Sequence, residues 1–303
     1  MTRVCLGCTN GILKILDFKT TKHVACVNFC LCSTTIRPLV NFDKKHMLIG
    51  LEDKFVEMFN IENKKRVRIK NSEELFTNVF TISSQKNFIF ITDENFFYVW
   101  KKNFDSWNLN YKIPSHFKIR FSSYIPKSSL FITSDGKSCL NVWSIFKNSF
   151  FFSGKIGIKE NISKVEGFLH EKFFLVQTKK NFMHIYTDHG VLLHVLFEPI
   201  RFKFSNHNFL QNSIKFYNKN MFLTGGTSRN ISLWDLRVEK IVRQWKGHIG
   251  SVEQIDIENL YAKDTSFVSY DTSNVVKLWD IRQEYETKSF KIHGDRISSL
   301  KLF

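Results

Sequence analysis

The sequence predicts an all-β chain of seven repeated units, each built from four antiparallel strands. The first observation is an aromatic or aliphatic anchor that recurs near positions 16, 59, 100, 143, 186, 234 and 279. The second is the pattern between anchors, where short alternating runs of Val, Ile, Phe and Tyr are separated by Asn, Asp, Ser and Gly. Four strands in about 40–45 residues are typical of a propeller blade, so we predict a single seven-bladed β-propeller over residues 1–303.

The third unit shows the four strands most clearly. They are predicted at residues 77–83, 88–92, 96–100 and 106–113. A helical repeat of similar length would instead place apolar residues at a period of about 3.6. The alternating pattern therefore favours strands throughout the repeats.

The two ends of the chain predict how the first blade is completed. Residues 3–11 have the pattern of an inner second strand that leads into the first anchor strand, and residues 296–303 have the pattern of a first strand. Pairing between them would remove sheet edges that invite aggregation. We therefore expect the C-terminal strand to close the propeller on the N-terminal blade.

The last two repeats carry the features of a known family. Trp-Asp dipeptides occupy positions 234–235 and 279–280, and Gly-His at 247–248 precedes the last repeat by about one strand. The pattern resembles the WD-repeat family across the whole chain, strongly in the last two repeats and through the period and one anchor in the first five. The resemblance implies a structural role for a set of repeat residues, with His248 hydrogen-bonded inside its blade. This set is Trp100, Trp143, Trp234, Asp235, His248, Trp279 and Asp280.

Members of this family often carry a hydrogen-bonded Asp-His-Ser/Thr-Trp tetrad in each blade. Alignment on the anchors places Asp53 and Glu94 at the acidic position of blades two and three. The same position is Asn10, Ser228 and Ser273 in blades one, six and seven. We therefore expect no full tetrad, and expect apolar packing by the many Phe residues to hold most blades together.

The sequence lacks the motifs of common catalytic and cofactor sites. Gly225-Gly226 has no phosphate-binding lysine and helix start after it, and no serine lies in a nucleophile-elbow context. Cys5 and Cys8 lie on one predicted strand, where residues three apart point to opposite faces, so we expect buried core residues rather than zinc ligands. The prediction is a protein that is not an enzyme and has no cofactor and no metal.

No run of residues has the length and hydrophobicity of a signal peptide or a transmembrane helix. We therefore expect an intracellular protein with reduced cysteines. The 44 Lys and Arg outnumber the 28 Asp and Glu, which gives a formal net charge of +16 and favours polyanionic partners. High Phe and Lys with low Gly and Pro also fit an AT-rich codon bias, so the position of the charge is more informative than its size.

The densest basic segment lies at residues 64–70, on the predicted outermost strand of blade two. Strand alternation would place Lys64, Arg66, Arg68 and Lys70 on one side. One interpretation is a contact with RNA or an acidic partner. The other is an edge strand that its charges protect from aggregation. The candidate contact residues are Lys64, Lys65, Arg66, Arg68 and Lys70.

A second candidate surface follows the Trp-Asp dipeptides. Residues 222–237 resemble the Trp-Asp-x-Arg box of substrate receptors for cullin-type ubiquitin ligases. The resemblance implies that Arg237, and Arg282 in the next blade, contact the propeller-shaped adaptor of the ligase. Ser228 departs from the box, where an acidic residue is usual, and blade seven has Tyr270 and Asp271 at small-residue positions. The alternative is that both arginines only stabilise strand ends.

These observations predict a non-catalytic scaffold that holds other proteins of a multi-subunit complex, and RNA, with no small-molecule substrate and no membrane insertion. The basic charge favours a nuclear or nucleolar ribonucleoprotein assembly, such as ribosome biogenesis or pre-mRNA processing. Two alternatives stay open. They are a substrate receptor of a cullin-type ubiquitin ligase, and a coat or chromatin scaffold.

Overall fold

The structure is a computed structural model that describes residues 3–18, 20, 22–29, 35–43, 45–51, 55–69, 81–85, 88–93, 95–103, 106–115, 117–146, 149–168, 171–197, 211–257 and 265–303. These residues form 28 β-strands and no helix. The strands make up seven four-stranded sheets, which are the blades. The prediction of an all-β, seven-bladed propeller is confirmed.

One compact unit comprises Met1–Leu39 and Ile200–Phe303 and contains blades one, six and seven. Blade one contains β1 (Arg3–Cys8), β2 (Ile12–Asp17), β3 (Lys22–Asn28) and the last strand of the chain, β28 (Ile297–Leu302). Blade six contains β20 (Gln211–Asn218), β21 (Met221–Gly226), β22 (Ile231–Asp235) and β23 (Lys240–Trp245). Blade seven contains β24 (Val252–Ile257), β25 (Ser266–Asp271), β26 (Val275–Asp280) and β27 (Glu286–Lys291).

The other compact unit, Val40–Pro199, contains blades three to five and most of blade two. Blade two contains β4 (Ile36–Asn41), β5 (His46–Leu51), β6 (Phe55–Asn60) and β7 (Arg66–Ile69). Blade three contains β8 (Thr81–Gln85), β9 (Phe88–Thr92), β10 (Phe96–Asn103) and β11 (Ser106–Pro114). Blade four contains β12 (Phe121–Ile125), β13 (Leu130–Ser134), β14 (Cys139–Phe146) and β15 (Ser149–Gly157). Blade five contains β16 (Ile162–Gly167), β17 (Phe173–Thr178), β18 (Phe182–Thr187) and β19 (Leu192–Phe197).

The C-terminal strand completes blade one, as the sequence predicted. β28 pairs antiparallel with β1, with Leu302 opposite Val4 and Leu300 opposite Leu6. Asp256 of blade seven accepts a hydrogen bond from the Leu302 backbone N–H at 2.8 Å and binds the Lys301 ammonium at 2.9 Å. Backbone pairing and a buried carboxylate therefore both hold the end of the chain in place.

A register shift recurs at the anchor positions. The pairing of the third and fourth strands shifts by one residue immediately before Leu16, Trp100, Trp143, Tyr186, Trp234 and Trp279. A β-bulge of this kind leaves one residue unpaired and increases the local twist of the strands. Six of the anchors deduced from sequence spacing therefore coincide with one repeated structural feature.

The core is a series of apolar layers between neighbouring blades, and phenylalanine fills much of it. Between blades three and four, the ring of Phe97 lies 4.8 Å from the ring of Trp143 and 4.9 Å from that of Phe150. Burial of such a side chain contributes about 1.5–3 kcal/mol. The interpretation of the Phe excess as core filling is confirmed at the fully buried positions Phe18, Phe59, Phe90, Phe97, Phe131, Phe174, Phe222 and Phe267.

Two strand boundaries differ from the prediction. The described first strand of blade three, Thr81–Gln85, ends two residues beyond the predicted end at Ser83, because Gln85 still pairs with Phe88; residues 77–80 of the prediction lie outside the described residues. The outermost strand of blade two begins at Arg66 rather than Lys64, because Lys64 has a φ angle of 58° and belongs to the preceding turn. Lys70 lies outside the described residues, as do 71–80.

Removal of residues 296–303 is expected to destabilise the protein as a whole. Ile297, Leu300 and Leu302 are buried, and each loses a burial term of about 2 kcal/mol while β1 gains an open edge. The measurement is the thermal unfolding midpoint of the truncated chain, and an unchanged midpoint would contradict the closure.

A finer comparison is Leu300→Ala against Leu193→Ala, since Leu300 is fully buried and Leu193 is exposed. The former should cost about 2–5 kcal/mol and the latter well under about 1 kcal/mol.

Candidate functional site

The basic segment of blade two is divided between a turn and a strand. The Asn60 side chain accepts the backbone N–H groups of Glu62 and Asn63 at 2.9 and 3.1 Å, which bends the chain after β6. Lys64 and Lys65 follow in this turn with exposed side chains. Of the predicted contact residues, these two lysines are the ones that the described structure presents without an ion pair to another described residue.

Arg66 and Arg68 converge instead on one buried carboxylate. Glu57 of β6 is 2% exposed, and its Oε2 lies 3.2 Å from Nε of Arg66. Its Oε1 accepts hydrogen bonds from Nε and Nη2 of Arg68 at 3.1 and 3.0 Å. The Arg68 guanidinium also lies 4.2 Å from the centre of the Phe55 ring, a cation–π contact. The predicted alternation is correct for both arginines, but their shared side faces Glu57, which the sequence analysis did not identify as a partner.

The two Trp-Asp-x-Arg turns have the same internal geometry. Arg237 donates Nε and Nη2 hydrogen bonds to the two carboxylate oxygens of Asp235, at 3.0 and 2.5 Å. Arg282 donates the same pair to Asp280, at 3.0 and 2.7 Å. The arginine hydrogen bond lowers the pKa of each aspartate below its usual range. Each arginine therefore stabilises the end of its own strand.

These hydrogen bonds to aspartate leave the outer part of both arginine side chains accessible. The side chain of Arg237 is 63% exposed and that of Arg282 is 72% exposed. A guanidinium has five N–H donors, so two bonds to an aspartate leave three for another partner. The strand-end role is present in the structure, and it leaves room for the contact that the family resemblance implies.

Blade seven contains a complete tetrad, which corrects the expectation that none is present. Trp279 Nε1 donates to Ser269 Oγ at 2.8 Å, and that oxygen lies 2.7 Å from His248 Nε2. His248 Nδ1 lies 3.0 Å from Asp271 Oδ2, and all four side chains are buried. The acidic member is Asp271 rather than the residue at Ser273, since Asp271 ends β25 and turns inward to accept the Ser273 and Val275 backbone N–H groups.

A spacing in the sequence could have revealed this network. The tryptophan and its hydroxyl partner are ten residues apart in Trp279–Ser269, Trp234–Thr224 and Trp143–Thr133. Asp271 follows Ser269 by two residues, so a Ser-x-Asp pattern upstream of the tryptophan was the missed signal. His248 does make the structural hydrogen bond that was expected of it.

Blade three lacks this hydrogen bond. Trp100 Nε1 is buried and has no hydrogen-bond partner among the described residues. Its hairpin is shorter, with Trp100 opposite Ile89, and the position that holds Ser or Thr in the other blades is Ile91. Apolar packing among Ile89, Ile91 and Tyr98 surrounds the indole here, as predicted for blades without a tetrad.

The cysteines near the N-terminus are core residues. Cys5 and Cys8 are both buried on β1, and burial raises the pKa of the Cys5 thiol to about 12 and that of Cys8 to about 11. Both thiols are therefore protonated at neutral pH and are poor metal ligands. Among the described residues, no group of three His, Cys, Asp or Glu side chains is placed to hold a metal ion.

A cleft that sequence analysis missed lies between blades four and five. It is an open cleft of about 640 Å³ between β15 and the turn that joins β18 to β19. Leu130, Val142 and Ile156 are the larger apolar residues of its lining. The volume is in the range of ligand-binding clefts, about 300–1,000 Å³. The cleft depends on the spacing of two neighbouring sheets, which no local pattern encodes.

No protein-family model matches this chain, and no curated protein matches it. Within the described residues no helix is long and apolar enough to cross a membrane. The structure itself is consistent with a WD-repeat-like propeller, through its seven four-stranded sheets and the tetrad of blade seven.

Replacement of the two arginines of β7 is expected to cost stability, whereas replacement of the turn lysines is not. Arg66→Ala with Arg68→Ala leaves the Glu57 carboxylate buried without its partners, at a cost of about 2–4 kcal/mol. Lys64→Ala with Lys65→Ala should change the free energy of unfolding by less than about 0.5 kcal/mol. Urea denaturation of the two double variants makes the comparison, and equal losses would contradict a structural role for the arginines.

The tetrad of blade seven is expected to make stability depend on pH below about pH 4. Burial by itself raises the pKa of Asp271, but hydrogen bonds from His248 and from the backbone of Val275 and Gly250 outweigh it and lower the pKa to about 2. Because the pKa in the unfolded chain is near 3.8, the carboxylate stabilises the fold above that value. This contribution is lost as the pH falls from about 4 to 2.

The corresponding measurement is urea denaturation of the wild type and of Asp271→Asn between pH 7 and pH 2. The variant should be less stable by about 2 kcal/mol at neutral pH, and the difference should shrink through the acidic range. Ser273→Ala is the control, because the Ser273 side chain is outside the tetrad. A difference between wild type and Asp271→Asn that stays constant down to pH 2 would show that the carboxylate is not responsible.

Proposed function

We propose that the protein is a non-catalytic scaffold of the WD-repeat type that holds protein partners and RNA in a nuclear ribonucleoprotein assembly. The observation that carries the proposal is where the ionisable side chains lie. His248, Asp271 and Glu57, which are of the residue types that serve as acids or bases, are buried in bonds that hold strands together. Turns and outer strands, in contrast, present lysine and arginine to solvent.

The RNA component rests on the turn that joins β6 to β7. Lys64 and Lys65 are exposed side by side, and the chain as a whole carries a formal charge of +16. Each phosphate that a lysine neutralises releases counterions and steepens the salt dependence of binding. The turn lysines support this component more directly than Arg66 and Arg68, whose guanidinium groups are shared with Glu57.

The RNA component predicts salt-dependent binding that the turn lysines control. With a labelled single-stranded RNA, Lys64→Ala with Lys65→Ala should lower the slope of log Kd against log salt by up to about 1.4. The matched control is Lys101→Ala with Lys102→Ala, which removes the same charge from exposed positions of β10.

Affinity purification with and without nuclease completes this test. If RNA shows no salt-sensitive binding and all partners survive nuclease, the RNA component is wrong and a scaffold of proteins alone remains. If the two double variants lose binding equally, the contact is general charge attraction and not the β6–β7 turn.

A second candidate function, substrate receptor of a cullin-type ubiquitin ligase, is favoured by the matching presentation of Arg237 and Arg282. Both are held by two hydrogen bonds to their own aspartate and remain more than half exposed. Arg237→Ala with Arg282→Ala should abolish co-purification of a propeller-shaped adaptor. Because the double variant also loses the bonds to Asp235 and Asp280, its unfolding midpoint is measured alongside to show that the fold is retained. Absence of such an adaptor among the partners of the wild type would eliminate this function.

A further inference from the structure

The rim of the cleft between blades four and five is basic. Lys127, Lys155 and Lys172 line it together with His189. Lys127 is paired with Glu171 at 3.3 Å, whereas Lys155 and Lys172 are exposed and form no ion pair with any described residue. The cleft lining therefore combines apolar residues with two exposed lysines that form no described ion pair.

The cleft lining also contains one acidic residue, Asp188, whose side chain is largely buried. Asp188 accepts a hydrogen bond from Ser128 Oγ at 2.6 Å, and its side chain is 8% exposed. Its backbone N–H donates to the Lys172 carbonyl oxygen at 2.7 Å, which fixes the β18–β19 turn against the start of β17. The Asp188 carboxylate is therefore largely buried and hydrogen-bonded, whereas Lys155 and Lys172 are exposed.

An unusual edge strand continues from this cleft. β19, Leu192–Phe197, is the last strand of its sheet and contains no Asp, Glu, Lys, Arg or Pro. Edge strands are normally protected by such residues because their open N–H and C=O groups can pair with another chain. The charged outer strands of blades six and seven, β23 and β27, follow that rule and β19 does not.

The side chains along this edge are also apolar and accessible. Val191, Leu192, Leu193, Val195 and Phe197 are each between 45% and 59% exposed. Val191 directly follows Gly190, which lines the cleft, so the apolar edge begins beside the basic cleft. Contiguous exposed apolar surface that is bordered by charge is typical of protein-interaction sites.

We propose that this surface binds an extended acidic and apolar peptide segment of a partner protein. The segment adds as a strand to the outer edge of β19, which pairs with no further strand among the described residues, so that its backbone pairs with β19. An apolar side chain enters the cleft over Val142 and Ile156, and its carboxylates lie against Lys155 and Lys172. This proposal rests on the scaffold role above only in that the partner is a protein. Its site is separate from the β6–β7 turn.

Charge and polarity together define this occupant. A polyphosphate chain would satisfy the lysines but would bring nothing apolar to cover the β19 side chains. An uncharged apolar strand would cover β19 but would make no contact of opposite charge with the two exposed lysines beside it. A peptide that alternates carboxylates with aliphatic side chains meets both requirements, since alternate residues of a strand point to opposite faces.

The experiment measures binding of a fluorescein-labelled peptide that alternates Asp or Glu with Leu or Val, by fluorescence anisotropy. Lys155→Glu with Lys172→Glu should weaken binding by about tenfold or more, since like charges oppose across the contact. The matched control, Lys101→Glu with Lys102→Glu, makes the same change in net charge on β10 and should leave affinity within about twofold. A peptide with each acid replaced by its amide should bind as weakly as the cleft variant.

The β19 edge has its own matched pair. Val195 on β19 and Val242 on β23 are 47% and 49% exposed, each on the outer strand of its own blade. Val195→Lys should weaken peptide binding by about threefold or more, because it places a charge on the apolar edge. Val242→Lys should have no effect. Ser153→Trp, at an exposed position of the cleft lining, should block the peptide without altering the core.

Three results would overturn the proposal. The first is no binding of the acidic peptide, or binding that none of these cleft and edge variants weakens. The second is a labelled single-stranded RNA that binds more tightly than the peptide and loses that affinity in Lys155→Glu with Lys172→Glu. The third is concentration-dependent self-association in sedimentation that Val195→Lys abolishes, which would make a second copy the occupant. The first and third outcomes leave RNA binding at the β6–β7 turn untouched, and the second is distinguished from it by Lys64→Ala with Lys65→Ala.

Discussion

The fold of this chain depends first on the pairing of β28 with β1. Blade one takes its first strand from the last residues and its other three from the first residues, so it exists only when both ends of the chain meet. Such contacts have large sequence separation and cost loop-closure entropy before they contribute any binding energy. The Asp256 contacts to Lys301 and to the Leu302 backbone offset part of that entropy cost, because they hold the closing strand to blade seven.

The blades reach a common geometry by different chemical means. Blade seven relies on a hydrogen-bonded chain from Trp279 to Asp271, and blades four and six keep only the tryptophan-to-threonine bond. Blade three packs an indole among aliphatic side chains and leaves its N–H without a described partner. The β-bulge before the anchor recurs in six blades despite these differences. Backbone geometry is therefore the more constant feature of the repeat, and the polar network is one of several ways to support it.

Positive charge has more than one role in this protein. Arg66, Arg68, Arg237 and Arg282 bind carboxylates of their own blades, and their bonds are part of the fold. Lys64, Lys65, Lys155 and Lys172 are exposed without such partners among the described residues. The distinction explains why the net charge of +16 overstates the charge available to a partner. It also follows the chemistry of the two residue types, since the planar guanidinium matches a carboxylate and lysine remains hydrated.

The sequence by itself determined the number of blades, the four strands of each blade, the anchors, the closure by 296–303 and the burial of Cys5 and Cys8. These features follow from strand alternation and a repeat period, which are written in consecutive residues. The Asp271 tetrad left a trace in the sequence, the Ser-x-Asp spacing, whereas the tertiary structure alone decided that Arg66 and Arg68 share Glu57 and that a basic cleft opens beside β19. Each of these depends on register, hairpin length or the spacing of two sheets. A shift of one residue changes the face on which a side chain lies, and local pattern does not record which residue lies opposite.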